Sequence, residues 1–164
     1  NDYLNMEERL SQKMNNNYTL WYHDVNNDKW DLSSYKKLMT LNTYDDLLLC
    51  LKKIDNINSG MFFVMKDKIT PLWENSHNKK GGYWSFKVNK TDAYNTWAEL
   101  FYKFCFESLS SDDSQITGFS VSPKINNCIF KIWNNDKFNK DLSFLNNDYK
   151  YLEIKDGLYR PHQY

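Results

Sequence analysis

The chain lacks an excess of either charge. Its 164 residues carry 21 basic and 21 acidic side chains, so the formal net charge is zero. A neutral chain has no general electrostatic field with which to hold a nucleic acid backbone regardless of base sequence. We therefore expect any contact with nucleic acid to be local.

Cysteine is scarce, and long apolar runs are missing. The three cysteines, Cys50, Cys105 and Cys128, are odd in number and do not have the spacing of metal ligands. This usage predicts buried free thiols in a reducing compartment, and hence a cytoplasmic protein. Because no apolar run approaches the ~20 residues of a membrane-spanning helix, we expect a soluble chain.

Groups suited to catalysis are sparse as well. The three histidines, His23, His77 and His162, stand far apart, and no set of Asp, Glu and His has metal spacing. The pair Gly81-Gly82 is not followed by the Lys-Ser/Thr of a phosphate-binding loop. The sequence therefore predicts a binding protein without a metal or other cofactor, rather than an enzyme.

Aromatic residues, in contrast, make up 17% of the chain, with six Trp, twelve Tyr and ten Phe. This content argues against disorder, and the length suits one domain with a proper core. Residues 1–17 are polar and predict a flexible N-terminal arm. Residues 18–164 predict a single domain.

Short strands alternate with two clear helices along that domain. Thr43 is the expected N-cap of the first helix, whose predicted inner face is Leu47, Leu48, Leu51 and Ile54. Thr91-Asp92 precedes the second helix, whose predicted buried residues are Trp97, Leu100, Phe101, Phe104 and Cys105. A short helix is expected at 141–145, and strands are expected at 18–23, 37–41, 61–65, 82–88, 116–121, 128–133 and 149–154. Strands that pair through short turns predict an antiparallel α+β sheet with its helices on one face.

Two indoles lie in polar segments where a core role is hard to arrange. Trp73 directly precedes Glu74, and Trp30 belongs to a separate loop. Two such rings can clamp a flat base while the carboxylate accepts the N1 and N2 hydrogens of guanine. A 7-methylated guanine carries a positive charge, which an indole face attracts in addition to stacking. The pattern therefore predicts a site for this cationic base.

The aromatic and glycine residues also resemble, in their order, those of the mRNA cap-binding translation initiation factor 4E family: Trp21, Trp30, Trp73-Glu74, Gly81-Gly82-Tyr83-Trp84, Trp97 and Ile132-Trp133. The resemblance covers nearly the whole chain from Tyr18 onward. It implies a curved antiparallel sheet backed by about three helices, with the cap-binding slot on the concave side. It further implies a role in translation initiation or its regulation.

Carried over by position, the resemblance makes Trp30 and Trp73 the stacking walls and Glu74 the acceptor for the guanine edge. Trp133 corresponds to the indole near the N7 methyl group. Trp21, Trp84 and Trp97 follow strand or helix patterns and are expected to pack in the core. Lys124 stands where the family has an Arg that grips the phosphates, but a Lys lacks the planar fork of Arg.

The phosphate side departs further from the family. Ile129 and Tyr83 stand at positions where the family often has basic residues. Lys131 lies two residues from Trp133 and must share its strand face, so it is the predicted substitute. Arg160 is a further phosphate candidate, as are Lys79, Lys80 and His162 on flexible segments.

The resemblance also implies that a scaffold or repressor protein docks a helix on the convex face. Leu48 replaces the usual Trp of that surface, and Gln12-Lys13-Met14 lacks the usual Pro. Tyr44 and Glu99 are the other candidates for this contact, and Phe106 replaces a small residue.

Two other classes of function stay open at this point. One is a nucleotide- or cap-processing enzyme, and the other is an aromatic-lined carbohydrate or peptide-binding module. The sequence favours a monomeric protein that binds capped mRNA through its 7-methylguanosine triphosphate end.

Overall fold

The computed structural model describes residues 6–164, in which seven strands form one antiparallel sheet. The strand order across the sheet is β2-β1-β3-β5-β6-β4-β7. The strands are β1 (Lys13–His23), β2 (Tyr35–Thr43), β3 (Met61–Lys66), β4 (Gly82–Asn89), β5 (Ile116–Pro123), β6 (Asn127–Asn134) and β7 (Leu158–Pro161). The helices are α1 (Met6–Leu10), α2 (Tyr44–Lys53) and α3 (Ala93–Cys105). This curved sheet with about three helices confirms the predicted α+β fold class.

Helix α2 begins with reciprocal hydrogen bonds between its first residues. The backbone N–H of Asp46 donates to Thr43 Oγ1 at 3.4 Å, and the backbone N–H of Thr43 donates to Asp46 Oδ2 at 3.0 Å. This capping box satisfies two groups that a helix start leaves unpaired. The inner face of α2 differs from the prediction, because Leu47 and Cys50 are buried whereas Leu48 is 44% exposed. Leu48 directly follows the buried Leu47, and successive side chains of a helix are rotated by about 100°, so Leu48 points away from the buried face.

The core lies between the helices and one face of the sheet. Trp84 and Trp97 are fully buried in it, as are Leu100, Phe101 and Phe104, which confirms the predicted stripe of α3. Successive strand residues point to opposite faces of the sheet. The face away from the helices is here called the open face. It carries a smaller buried cluster, formed by Trp21, Phe63, Met65, Ile69 and Trp133.

The ordered chain begins earlier than the sequence suggests. Strand β1 starts at Lys13, and Met14 is buried in the core. The side-chain amides of Asn15 and Asn16 donate to the carboxylate of Glu107 at 3.0 and 2.9 Å. Residues 13–17 of the predicted arm thus belong to β1, and these asparagines bind a side chain of the same domain. Residues 1–5 of the predicted arm lie outside the described residues.

The predicted strand at 149–154 is wrong, since this segment crosses α3 and does not join the sheet. The carboxylate of Glu99 accepts the backbone N–H groups of Lys150 and Tyr151 at 2.8 and 2.9 Å. In a β-strand, these N–H groups would instead donate to carbonyl groups of a neighbouring strand. The last strand is β7, which pairs with β4, and the helix expected at 141–145 is one 3₁₀ turn at Leu142–Phe144.

Cys50, Cys105 and Cys128 are free and buried, as expected. Burial raises the pKa of the Cys50 thiol to about 12 and raises that of Cys105 even further, which keeps both thiols protonated. No helix within residues 6–164 is long and apolar enough to cross a membrane.

Glu99 should matter mainly for stability. We expect Glu99→Ala to lower the free energy of unfolding by about 3 kcal/mol, because it leaves two N–H groups without a charged acceptor. Urea denaturation measures this loss. Glu153→Ala removes an exposed carboxylate from the same region and should change the free energy by less than ~0.5 kcal/mol. Equal losses in the two variants would contradict the structural role of Glu99.

Candidate base-binding cleft

A cleft of about 420 Å³ lies on the open face of the sheet. It brings together the four residues predicted to bind the base, together with Lys131 and His162. Its full lining is Trp30, Tyr35, Met61, Phe63, Pro71, Leu72, Trp73, Glu74, Tyr83, Lys131, Trp133 and His162. Aromatic rings thus form most of a cleft that also holds one carboxylate and one ammonium group.

Trp30 forms one wall and is held from behind by a histidine. Its indole is 50% exposed and stacks on the buried ring of His23, with centroids 4.0 Å apart and planes 1° from parallel. His23 Nε2 lies 2.7 Å from the carbonyl oxygen of Lys29, and because a carbonyl only accepts, this nitrogen carries the proton. One face of the Trp30 ring is therefore covered, and the other is available to the cleft.

Trp73 and Glu74 lie on the loop between β3 and β4, which a buried asparagine fixes. Asn78 Nδ2 donates to the carbonyl oxygens of Thr70 and Leu72 at 3.1 and 2.9 Å. The loop keeps its shape without burying Trp73, whose side chain is 44% exposed. Trp73 and the exposed Trp30 line the same cleft, and a contiguous exposed apolar surface marks a ligand or partner site.

Glu74 faces Tyr35 within the cleft. Burial, and after it the Glu74 carboxylate, raise the pKa of Tyr35 to about 12. Among residues 6–164, no hydrogen bond or salt bridge is found on Glu74. Its oxygens are thus available to an N–H donor from outside the chain.

Trp133 forms the floor of the cleft. It is almost fully buried, and its Nε1–H donates to Ser120 Oγ at 3.2 Å. Phe63 meets it edge to face with centroids 6.3 Å apart, and His162 lies 5.2 Å from it. Trp133 is therefore part of a packed cluster and also a surface of the cleft.

Lys131 reaches the cleft from the face that the period-two argument assigned. Its Nζ lies 4.4 Å from the ring centroid of Tyr83 on the neighbouring strand. Burial lowers the pKa of Lys131, and the charges of Lys124 and Arg160 lower it further. No salt bridge to any of these three cations is found within the described part of the chain, so their charges are available to an anion.

The other basic candidates are placed differently. Lys124 and Arg160 are exposed and do not line the cleft, but both are close enough to Lys131 for their charges to lower its pKa. Lys79 and Lys80 line a separate depression of about 780 Å³ with Lys137. His162, expected as a phosphate contact, instead lies against the aromatic floor.

Several residues that form or support the cleft were not predicted from the sequence. His23, which supports Trp30 from behind, carried no motif, although it shares a strand face with Trp21 by period two. Met61 and Phe63 fall in a predicted strand, Tyr35 lies just before the strand predicted at 37–41, and Tyr83 was noted only as the replacement of a basic residue. Period two could have assigned Phe63 to the open face, but only the register of β3 against β1 and β5 places it under the cleft.

The predicted partner residues are also separated by the structure. Leu48 is exposed on α2 and lines a shallow depression with Leu49, Leu51 and Tyr94. Tyr44 stacks on Phe106 with centroids 4.8 Å apart. Glu99 does not lie on this surface, because its carboxylate is buried and bound to the backbone of residues 150 and 151.

Comparison with known proteins agrees with this geometry. The family model "Eukaryotic initiation factor 4E" matches residues 13–161. Eukaryotic translation initiation factor 4E of Dictyostelium discoideum is 26% identical over 171 residues, which cover 96% of this chain and 67% of that protein.

Solved structures share the fold at lower identity. Ascaris suum eIF4E-3 in complex with an m2,2,7G cap has a TM-score of 0.71 at 21% identity, covering 78% of this chain and 76% of that one. The same protein with an m7G cap has a TM-score of 0.68 at 23% identity, with the same coverage. C. elegans eIF4E-3 with the 4E-binding protein Mextli and a cap analog has a TM-score of 0.70 at 22% identity, covering 76% and 75%. With a family model matched from β1 to β7, the chain belongs to the eukaryotic initiation factor 4E family.

Proposed function

We propose that this chain binds the 7-methylguanosine cap of mRNA in the open-face cleft and acts in translation initiation or its regulation, in the cytoplasm. The observation that carries the proposal is the pairing of two half-exposed indoles, Trp30 and Trp73, with the carboxylate of Glu74 in one cleft. The complexes of the related Ascaris and C. elegans proteins with caps support the choice of ligand.

The base would enter between the two indoles. A cationic ring over a Trp face gains about 2 kcal/mol when it is desolvated, and the His23 stack keeps Trp30 in place to receive it. Glu74 would accept the N1 and N2 hydrogens of guanine as a charge-assisted pair. Adenine does not offer these two donors on that edge, so Glu74 would also select the base.

The phosphates would extend from the base towards Lys131. This ammonium group is partly desolvated and lacks a carboxylate partner within residues 6–164, so an anion beside it gains a strong interaction. Lys124 and Arg160 would bind the outer phosphates. Lys124 stands at the family's arginine position, so an ammonium group replaces a planar guanidinium that could make two parallel hydrogen bonds to a phosphate.

The helix face would receive a protein partner. The depression along α2 has a volume of about 490 Å³, and its leucines suit the apolar face of a helical peptide. The C. elegans relative in complex with Mextli supports this type of contact. Leu48 would be the central anchor, Tyr44 would lie at one side with Phe106, and Glu99 would take no part. The protein itself would act as a monomer.

Membership of an initiation-factor family decides between the functional classes that the sequence left open. Proteins of this family are binding factors, so the chain is not an enzyme. The family description and the relatives named above do not describe a carbohydrate-binding module.

The stacking walls give the most direct test. We expect cap analogue to quench the tryptophan fluorescence, and Trp73→Ala to weaken m7GTP binding by about 1 to 3 kcal/mol, the value of one base–aromatic stack. Phe138→Ala removes a ring that is 85% exposed outside the cleft and should leave the affinity unchanged. Equal affinity of the parent protein for m7GTP and GTP would rule out recognition of the cationic base.

The phosphate contacts can be separated from the base contacts by the choice of ligand. We expect Lys131→Met and Lys124→Met each to weaken m7GTP more than 7-methylguanosine, and to reduce the salt dependence of m7GTP binding by about one counterion. Lys79→Met removes the same charge outside the cleft and serves as the control. If Lys131→Met binds m7GTP like the parent at low salt, the phosphates do not pass Lys131.

His162 should stay neutral beside the cationic base. Burial, and after it the charge of Lys131, hold its pKa at about 4, below the ordinary value of 6.5. Between these two values the unfolded chain takes up a proton that the folded chain does not, so stability falls as pH drops from about 6.5 to about 4. NMR titration of the ring should show this low pKa, and Lys131→Met should raise it while Lys79→Met does not. Titration of His162 near 6.5 in the parent would show that the ring is open to water.

A further inference from the structure

Tyr35 brings a hydroxyl group to the base-binding cleft, and the contacts proposed above do not use it. The side chain is partly buried and lines the cleft, but no hydrogen bond of its hydroxyl is found within residues 6–164. Buried tyrosine hydroxyls usually have a hydrogen-bond partner, as those of Tyr149 and Tyr159 do, at 2.6 and 2.7 Å. The hydroxyl of Tyr35 is therefore available to a group that enters the cleft.

Three aromatic contacts fix the Tyr35 ring. Its centroid lies 4.8 Å from that of His23, 5.3 Å from that of Phe63 and 6.4 Å from that of Trp30. The three ring planes are inclined to that of Tyr35 by 60°, 68° and 61°. Tyr35 is also the direct partner of His23 in the pairing of β1 with β2. Because the ring is held from several sides, a ligand does not have to order it on binding.

The uncharged acceptors of the cleft are divided between its two charged groups. Among the described residues that line it, Tyr35, Tyr83 and His162 are the uncharged side chains with an oxygen or nitrogen acceptor. The Tyr83 ring lies 4.4 Å from Lys131 Nζ, and His162 contacts the same ring with centroids 5.7 Å apart. Both thus belong to the ammonium side. Tyr35 instead belongs to the carboxylate side, because Glu74 is close enough to raise its pKa, after the larger effect of burial.

The Tyr35 hydroxyl can act as an acceptor there. Its pKa is raised to about 12, so the group keeps its hydrogen at neutral pH. A neutral hydroxyl has one hydrogen to donate and two lone pairs that accept. The negative charge of Glu74 favours the orientation in which this hydrogen points towards the carboxylate. The lone pairs are then left for an N–H group that lies beside Glu74.

Guanine has such an N–H group to spare. Its exocyclic N2 amino group carries two hydrogens, and the proposed contacts of Glu74 use one of them together with the N1 hydrogen. A base enclosed between Trp30 and Trp73 is shielded from water, so a donor left without an acceptor there costs free energy. An acceptor beside Glu74 would remove that cost.

Resting on the proposed function, we propose that the Tyr35 hydroxyl accepts the second N2 hydrogen of 7-methylguanine and makes the cleft selective for an unmethylated N2 amino group. Glu74 alone cannot make this selection, because a base with one N2 methyl group still offers it one N2 hydrogen. Tyr35 is thus a residue that determines specificity, and Glu74 remains the residue that distinguishes guanine from adenine.

Two ligands that differ by one methyl group test this inference. The N2-methylated derivative m2,7GTP keeps the positive charge, the N1 hydrogen, one N2 hydrogen and the triphosphate of m7GTP. We expect the parent protein to bind m2,7GTP about two- to tenfold more weakly than m7GTP, which is the effect of one hydrogen bond. Tyr35→Phe should weaken m7GTP by a similar factor and bind the two ligands within about twofold of each other. Titration of the tryptophan fluorescence with each ligand measures these affinities.

Tyr102→Phe is the matched control. It removes the same hydroxyl group from a tyrosine of α3 that is 43% exposed and does not line the cleft. We expect this variant to keep both affinities of the parent. Equal binding of m7GTP and m2,7GTP by the parent overturns the role of Tyr35 and leaves cap recognition standing.

Two further outcomes are distinguishable from these. If Tyr35→Phe weakens both ligands by the same factor and keeps the parent's ratio, the hydroxyl acts only by positioning its neighbours, which also overturns the inference. If the parent binds m7GTP no better than GTP, the proposed function itself fails, and the role of Tyr35 fails with it.

Discussion

The site depends on the alternation of side chains along β6. Phe130 and Ile132 are buried under the helices, while Lys131 and Trp133 point to the open face. Alternation is a fixed property of an extended strand, and a shift of register by one residue would bury the ammonium group and expose the core. The pairing register of β6 therefore decides both which residues fill the core and which residues line the cleft. Neighbouring strands add Tyr83 and Ser120 to the same surface.

Half-exposed indoles need rigid support, because water alone would favour their collapse onto the nearest apolar surface. Trp30 is supported by the His23 ring, whose orientation is set by one hydrogen bond to a carbonyl. Trp73 is supported indirectly, through the two carbonyl contacts of Asn78. A preformed pair of walls spares a ligand the entropy of ordering them. Polar residues behind the loops thus keep the aromatic surfaces apart.

Sequence reasoning reached six of the seven strands, both long helices and six of the twelve residues that line the cleft, because these depend on local periodicity and on aromatic residues in polar loops. Lys131 was found because period two is exact within a strand. His23 was not found, because its stack on Trp30 forms only when the loop after β1 folds back over the strand. The strand expected at 149–154 failed because a distant carboxylate on α3 takes its backbone donors. Lys124 was correctly assigned to a turn, but only the fold shows that it does not line the cleft.

The segment that crosses α3 joins the two sides of the sheet. Glu99 holds residues 150 and 151 against the helix, and a few residues later the same segment enters β7 and ends its course with His162 on the cleft floor. Helix face and cleft are thus connected by a short covalent tether as well as through the sheet. If a ligand at one face shifts this tether, binding at the other face changes, and thermodynamic linkage requires the effect to be equal in both directions. The buried carboxylate of Glu99 anchors the start of this segment to α3.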